Sequence, residues 1–154
     1  MIILCDTREQ KKLQFEHPFI TKVERIKLNV GDYSVRYNDG YIPPVVFERK
    51  NLSDLYGTLS SGYRRFKREI LRAKEDKVLL IIIIEGSLTK VLAGVDRCQR
   101  SGEEVCQQLF TLMIKHFVPF VCCNSRQEVS RFITEFYLAI GRKHLEEKKS
   151  LKND

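Results

Sequence analysis

Apolar and polar positions change period along this chain, and each change marks an element. Ile2 to Cys5 is a short apolar run that predicts a buried first strand. From Val23 to Val30, Glu24, Ile26, Leu28 and Val30 alternate with Val23, Arg25, Lys27 and Asn29, a period of two that predicts a second strand. Tyr33 to Tyr37 stays extended, Asn38-Asp39-Gly40 signals a turn, and Val45 to Phe47 returns as the other arm of a hairpin. Leu52 to Leu59 reads as a helix with Asn51 or Ser53 as its cap, and Ser60-Ser61-Gly62 breaks it. Tyr63 to Glu75 is a helix with Phe66, Ile70, Leu71 and Ala73 near one side. Val78 to Ile84 is apolar throughout, the pattern of a strand at the centre of a sheet covered on both faces. Glu103 to Phe117 predicts another helix, Pro119 to Cys123 a short strand, and Gln127 to Ile140 a last helix. The order predicts an α/β fold, a mixed β-sheet flanked by helices on both faces.

Composition narrows the class. The chain has 154 residues, 43% of them hydrophobic and 31% charged, as a single soluble domain requires. The longest apolar run is far shorter than the roughly 20 residues of a membrane helix, and no secretory signal is evident, so the expected location is intracellular with no membrane partner. The five cysteines are odd in number and lack finger-like spacing, which favours reduced thiols over disulfides or zinc. The formal charge of +7 favours an anionic partner, nucleic acid before membrane. More than half of that surplus lies between Ser61 and Lys77, where seven basic residues face three acidic ones. Tyr63, Arg64 and Arg65 are the first candidates for DNA phosphate contacts, then Lys67 and Arg68; a plain solvated helix face is the alternative.

One constellation carries chemistry. Glu48 and Lys50 are two apart on a strand and share a face, whereas Arg49 points the other way. An isolated pair of this kind is an ordinary surface ion pair. Beside a second carboxylate it becomes a metal ligand next to a cation that steadies a nucleophile. Asp32 on the opposite hairpin arm supplies that carboxylate only in one register. A two-residue turn on Asp39-Gly40 sets Asp32 opposite Phe47, with Glu48 on the other face. A bulge, or one more loop residue, sets Asp32 opposite Glu48. Mg²⁺ or Mn²⁺ would then relieve the repulsion between the two carboxylates.

Gly31-Asp32-Tyr33 followed by Glu48-Arg49-Lys50 and Asp54 resembles the GDx(n)ERKx3D motif of XPF-type nuclease domains, in the restriction-endonuclease-like superfamily. Asp6-Thr7-Arg8-Glu9 after the first strand and Ile84-Glu85-Gly86 after the apolar strand extend the resemblance from Met1 to about Ile140. It implies a divalent-metal-dependent DNA endonuclease acting on branched or flapped DNA in repair, recombination or replication. It implies Asp32, Glu48 and Lys50 as catalytic residues, with the metal held by Asp32, Glu48 and the Arg49 carbonyl and Asp6 as an outer or second-metal ligand. Arg8, Glu9, Arg49 and Asp54 would support the site. Arg8 with Glu9 is alternatively a surface pair, and Asp54 a carboxylate at a helix start. Every motif position is filled, as in active members rather than degenerate partners; a non-catalytic DNA-binding scaffold of the same fold is the competing reading. An RNA-binding module is a third, but no aromatic stacking motif supports it.

The resemblance divides the chain into a nuclease domain at 1–141 and a charged C-terminal tail at 142–154 that frays, without the helix-hairpin-helix module many members carry. That leaves room for a separate targeting protein. It also implies a homodimer, and the stripe of Phe132, Ile133, Phe136, Tyr137 and Ile140 is either core or part of that interface. The segment Gly94 to Gly102 is a connector or a mobile loop touching DNA, and His17, His116 and His144 are incidental.

Overall fold

The computed structural model describes residues 1–151. Six strands form one sheet: β1 (Ile2–Asp6), β2 (Lys22–Ile26), β3 (Tyr33–Arg36), β4 (Val45–Asn51), β5 (Leu79–Glu85) and β6 (Phe120–Cys123), in the order β2-β1-β3-β4-β5-β6. β1 pairs parallel with β2 and antiparallel with β3; β3 pairs antiparallel with β4; β4, β5 and β6 run parallel. Five helices flank it: α1 (Leu52–Leu59), α2 (Tyr63–Glu75), α3 (Leu88–Ala93), α4 (Gly102–His116) and α5 (Arg126–Ser150). The mixed, helix-covered sheet matches the sequence expectation.

Each side of the sheet has its own core. Leu80, Ile82 and Ile84 of β5 pack with Leu55, Leu59, Phe66, Ile70 and Leu109 from α1, α2 and α4. Ile81 and Ile83, one residue out of phase, pack with Phe47, Tyr33, Val129 and Ile133 on the α5 side. Full burial of both faces explains the unbroken apolar run of β5.

Two expectations are corrected, and one helix is added to the sequence reading. β2 ends at Ile26 rather than Val30, because the Leu28 N–H goes to the Asp6 carboxylate and the Leu28 carbonyl to Arg8, which takes that backbone out of the ladder. The segment before Gly94 carries a short helix, α3, capped by the Ser87 side chain. The chain does not fray beyond Gly141: α5 continues to Ser150, and its added turns dock on the β3–β4 loop through His144 and Lys148, both bonded to Asp39. The end of the tail, 152–154, lies outside the described residues.

Of the α5 stripe, Ile133 and Tyr137 belong to the core, and Phe132, Phe136 and Ile140 are partly buried against it. Ile133 and Tyr137 are fully buried, and the Phe47 ring meets Phe136 and Tyr137 edge-on at 5.2 and 5.5 Å. A more exposed apolar stripe lies on α4, where Phe110, Met113 and Ile114 point outward with Phe117 following.

Candidate active site

The site gathers where β1, β3 and β4 meet the starts of α1 and α2. Tyr33 pairs with Phe47, so the register that places Asp32 opposite Glu48 is the one realised. The long connection from Tyr37 to Pro44 permits it: Tyr37 donates to the Tyr41 carbonyl and Gly40 to that of Tyr37, in place of a two-residue turn. Asp32 lies just beyond β3, held by its own N–H on the Phe47 carbonyl at 2.7 Å and its carbonyl on the Asp6 N–H at 2.8 Å. Gly31 is required before it. Its φ is +73°, and a Cβ there would meet Val46 Cβ at 3.0 Å and the Phe47 carbonyl at 3.1 Å.

Glu48 and Lys50 lie on the β4 face turned toward α1 and α2. Lys50 Nζ is 2.5 Å from Glu48 Oε1, with the two side chains 15% and 8% exposed. Asp32 Oδ2 accepts the Arg49 backbone N–H at 2.9 Å, which fixes the carboxylate against the Glu48–Arg49 peptide. Burial pushes the Asp32 carboxyl up to about 6 against the pull of the Arg49 N–H and Lys50. Burial, then the nearby Asp32 charge, pushes Glu48 up to about 8 although Lys50 opposes it. Lys50 is itself raised: burial works against its charge, but Glu48 and Asp32 outweigh it, so it stays an ammonium.

The donor set fits a hard divalent cation. Asp32 and Glu48 each commit one oxygen to a protein donor, and among the described residues nothing donates to Asp32 Oδ1 or Glu48 Oε2. The Arg49 N–H, like the Phe47 carbonyl two residues earlier, points to the β3 side, and in a strand the carbonyl of the same residue lies on that same side, so the Arg49 carbonyl faces it too. Among the described residues no three His, Cys, Asp or Glu side chains stand together as metal ligands. Two carboxylates, one carbonyl and water are a usual set for Mg²⁺.

The remaining motif residues divide by what they touch. Asp6 is 1% exposed, with Oδ1 accepting from Arg8 N and Nε and Oδ2 from Arg8 Nη2 and Leu28 N. Each Asp6 oxygen thus already accepts two hydrogen bonds. Arg8 acts through Asp6 and the Leu28 carbonyl, with its outer part in solvent. Arg49 crosses to the α5 side, 5% exposed, with Nε 2.5 Å from Glu85 and Nη1 3.2 Å from Glu9. Asp54 is the helix-start carboxylate of α1: Asn51 caps its N–H, and the Asn51 amide donates to Asp54 Oδ2 at 2.6 Å. It also lines, with Lys50, Ser53, Ser61 and Arg65, a cavity of about 580 Å³. Arg64, Arg65, Lys67 and Arg68 are exposed along α2, and Tyr63 is half-buried.

Two residues on α2 join the site without a sequence signal. Glu69 Oε1 accepts the Gly31 N–H at 3.1 Å, which ties the helix to the loop that carries Asp32. Phe66 lies under Lys50, its ring centroid 5.8 Å from Nζ. Only the packing of α2 onto β4 brings them there. The nearest available clue is their spacing of three on one helix side.

Known proteins share this fold. XPF from Aeropyrum pernix superposes with a TM-score of 0.68 at 18% identity, over 97% of this chain and 69% of that one. The same protein in complex with DNA gives 0.65 at 18% identity, over 92% of this chain and 66% of that one. This chain thus spans about two thirds of their length. No curated protein matches the sequence. The family model of the ERCC4 domain matches residues 5–136, from the end of β1 into α5. The chain belongs to the ERCC4 domain family and is an XPF-type nuclease domain.

Proposed function

We propose that this domain is a divalent-metal-dependent endonuclease that hydrolyses DNA phosphodiester bonds, on branched or flapped DNA in repair, recombination or replication. The observation that carries the reading is the register that sets Asp32 beside Glu48, with Lys50 on the same face at the mouth of a cavity. Asp32, Glu48 and the Arg49 carbonyl would hold Mg²⁺ or Mn²⁺. The bound cation would polarise the phosphate and lower the pKa of water. Lys50 remains charged, so it orients the attacking water and faces the developing negative charge rather than abstracting a proton. Arg65, which also lines the cavity, takes a neighbouring phosphate, and Arg64, Lys67 and Arg68 extend the contact along α2. Asp6, with its oxygens filled, is assigned to holding the end of β1.

The relative solved with DNA supports DNA as partner. Among the described residues no helix is long and apolar enough to cross a membrane. The homodimer implied by the motif is assigned to the α4 stripe, beside the open edge of β6. Ile114, 71% exposed, is the residue to change: Ile114→Asp should shift sedimentation from dimer to monomer without altering the melting of the monomer.

The direct test incubates the purified chain with flapped and branched DNA and Mg²⁺ or Mn²⁺. The wild type should nick, and Glu48→Ala and Lys50→Ala should not. Binding without cleavage by the wild type in either metal would establish the scaffold reading instead.

A further inference from the structure

The loop that carries Asp32 is pinned at several points. Leu28 is held by Asp6 and Arg8, and the Val30 side chain is buried. Two more residues are tied to α2: the Asn29 amide donates to Asp76, and the Gly31 N–H donates to Glu69 Oε1 at 3.1 Å. Glu69 and Asp76 are seven positions apart, about two turns of helix, so they share the side of α2 that meets the loop. As tethers the two acids are alike. What else they reach differs.

Glu69 is the one acidic residue between Tyr63 and Lys74. Arg65 and Arg72 stand four before it and three after it, the spacing at which a helix forms ion pairs. Glu69 takes neither: among the described residues only the Gly31 N–H bonds to it, and Oε2 stays free. It follows Phe66, the residue under Lys50, by one turn. Its charge is felt at all three members of the site. Burial is the main push on Asp32 and on Glu48, and Glu69 adds to it. At Lys50, where burial opposes the ammonium, Glu69 joins Glu48 and Asp32 in holding it. Asp76 is exposed at the C-terminal cap of α2, about 10 Å further along the axis, a distance over which salt screens much of an exposed charge.

We propose that Glu69 is a positioning residue for the metal site: one oxygen holds the Gly31 turn that presents Asp32, and its charge strengthens binding of a divalent cation by Asp32 and Glu48 without ligating it. The inference rests on the nuclease reading and deepens it. Gly31 has a positive φ and Val46 against it, so the turn needs its N–H satisfied from outside the sheet, and Glu69 does this from 38 residues away. Three neighbouring negative charges repel one another, which favours the cation-bound state over the empty one. Groups that act on ligands from outside the ligand set typically change metal affinity by about 10–100-fold.

The test titrates Mn²⁺ into the protein without DNA and reads free Mn²⁺ by electron paramagnetic resonance. Glu69→Gln keeps an acceptor for the Gly31 N–H and removes the charge. It should weaken Mn²⁺ binding about tenfold, with the melting temperature of the metal-free protein held or raised. Asp76→Asn removes the same charge two turns away and should leave Mn²⁺ affinity unchanged. Glu69→Asp keeps the charge and should bind Mn²⁺ more tightly than Glu69→Gln, even if its shorter side chain loses Gly31. Wild-type Mn²⁺ affinity in Glu69→Gln, or equal weakening by Glu69→Gln and Asp76→Asn, overturns the role of Glu69. Nicking of flapped DNA in Mn²⁺ is measured on the same preparations. A wild type that nicks, with Mn²⁺ affinity indifferent to Glu69→Gln, overturns the Glu69 inference alone. A wild type that binds Mn²⁺ through Glu69 but never nicks overturns the nuclease reading alone.

Discussion

Asp6 and Asp32 are neighbours at the ends of β1 and β3, bonded to each other through the backbone at 2.8 Å, and their carboxylates have opposite surroundings. Burial pushes Asp6 up, but Arg8 and the Leu28 N–H outweigh it and hold the carboxyl below the usual range. Asp32 receives one backbone N–H, and burial wins. A saturated carboxylate holds structure together; an under-satisfied one beside a second carboxylate stores the unfavourable charge that a cation would relieve. β4 repeats the contrast across its two faces. Lys50, paired with Glu48, lines a cavity, whereas Arg49 is closed between Glu9 and Glu85.

Substitution on the two sides should therefore separate chemistry from stability. The largest effect is on cleavage: Asp32→Asn or Glu48→Gln should lower the single-turnover rate by about 10²–10³-fold or more, with the melting temperature held or raised. Loss of rate only in step with loss of fold would break the contrast. Arg49→Met should leave Glu9 without its cation and Glu85 with only Arg126 at 3.5 Å, and cost about 3 kcal/mol in urea unfolding.

The pH dependence distinguishes the aspartates next. The folded-state value of Asp32 lies above its ordinary value of 3.8, so its contribution is fully present below about pH 4 and fades as pH rises through about 6. Without divalent cation, the wild type should lose about 3 kcal/mol relative to Asp32→Asn between those limits, and Mn²⁺ should restore part of it at neutral pH. Asp6 has the opposite sign, with stability present above its unfolded value and lost in acid. A smaller effect is expected of Asp6→Asn, about 2 kcal/mol from N–H groups left without an acceptor, with the cleavage rate of the folded fraction unchanged. A rate loss as large as that of Asp32→Asn would return Asp6 to the metal site.

Local pattern determined much of this protein. Helix α1 and helix α2 begin and end where the caps and the Ser60-Ser61-Gly62 break predict, since those signals act within a turn of chain. The apolar run before Glu85 identified the central strand because burial on both faces leaves no polar position. The motif residues brought the family into view and named Asp32, Glu48 and Lys50. What the sequence left open was whether Asp32 meets Glu48, because two hairpin registers fit the same residues. The tertiary structure decided it: the longer loop carries Asp39 onto His144 and Lys148 of α5, about a hundred residues away in the chain. Contacts 22 to 38 residues apart also placed Glu69 against Gly31, closed Arg49 with Glu85, and filled Asp6 from Leu28. Periodicity reports which way a side chain faces, and only packing reports what it meets there.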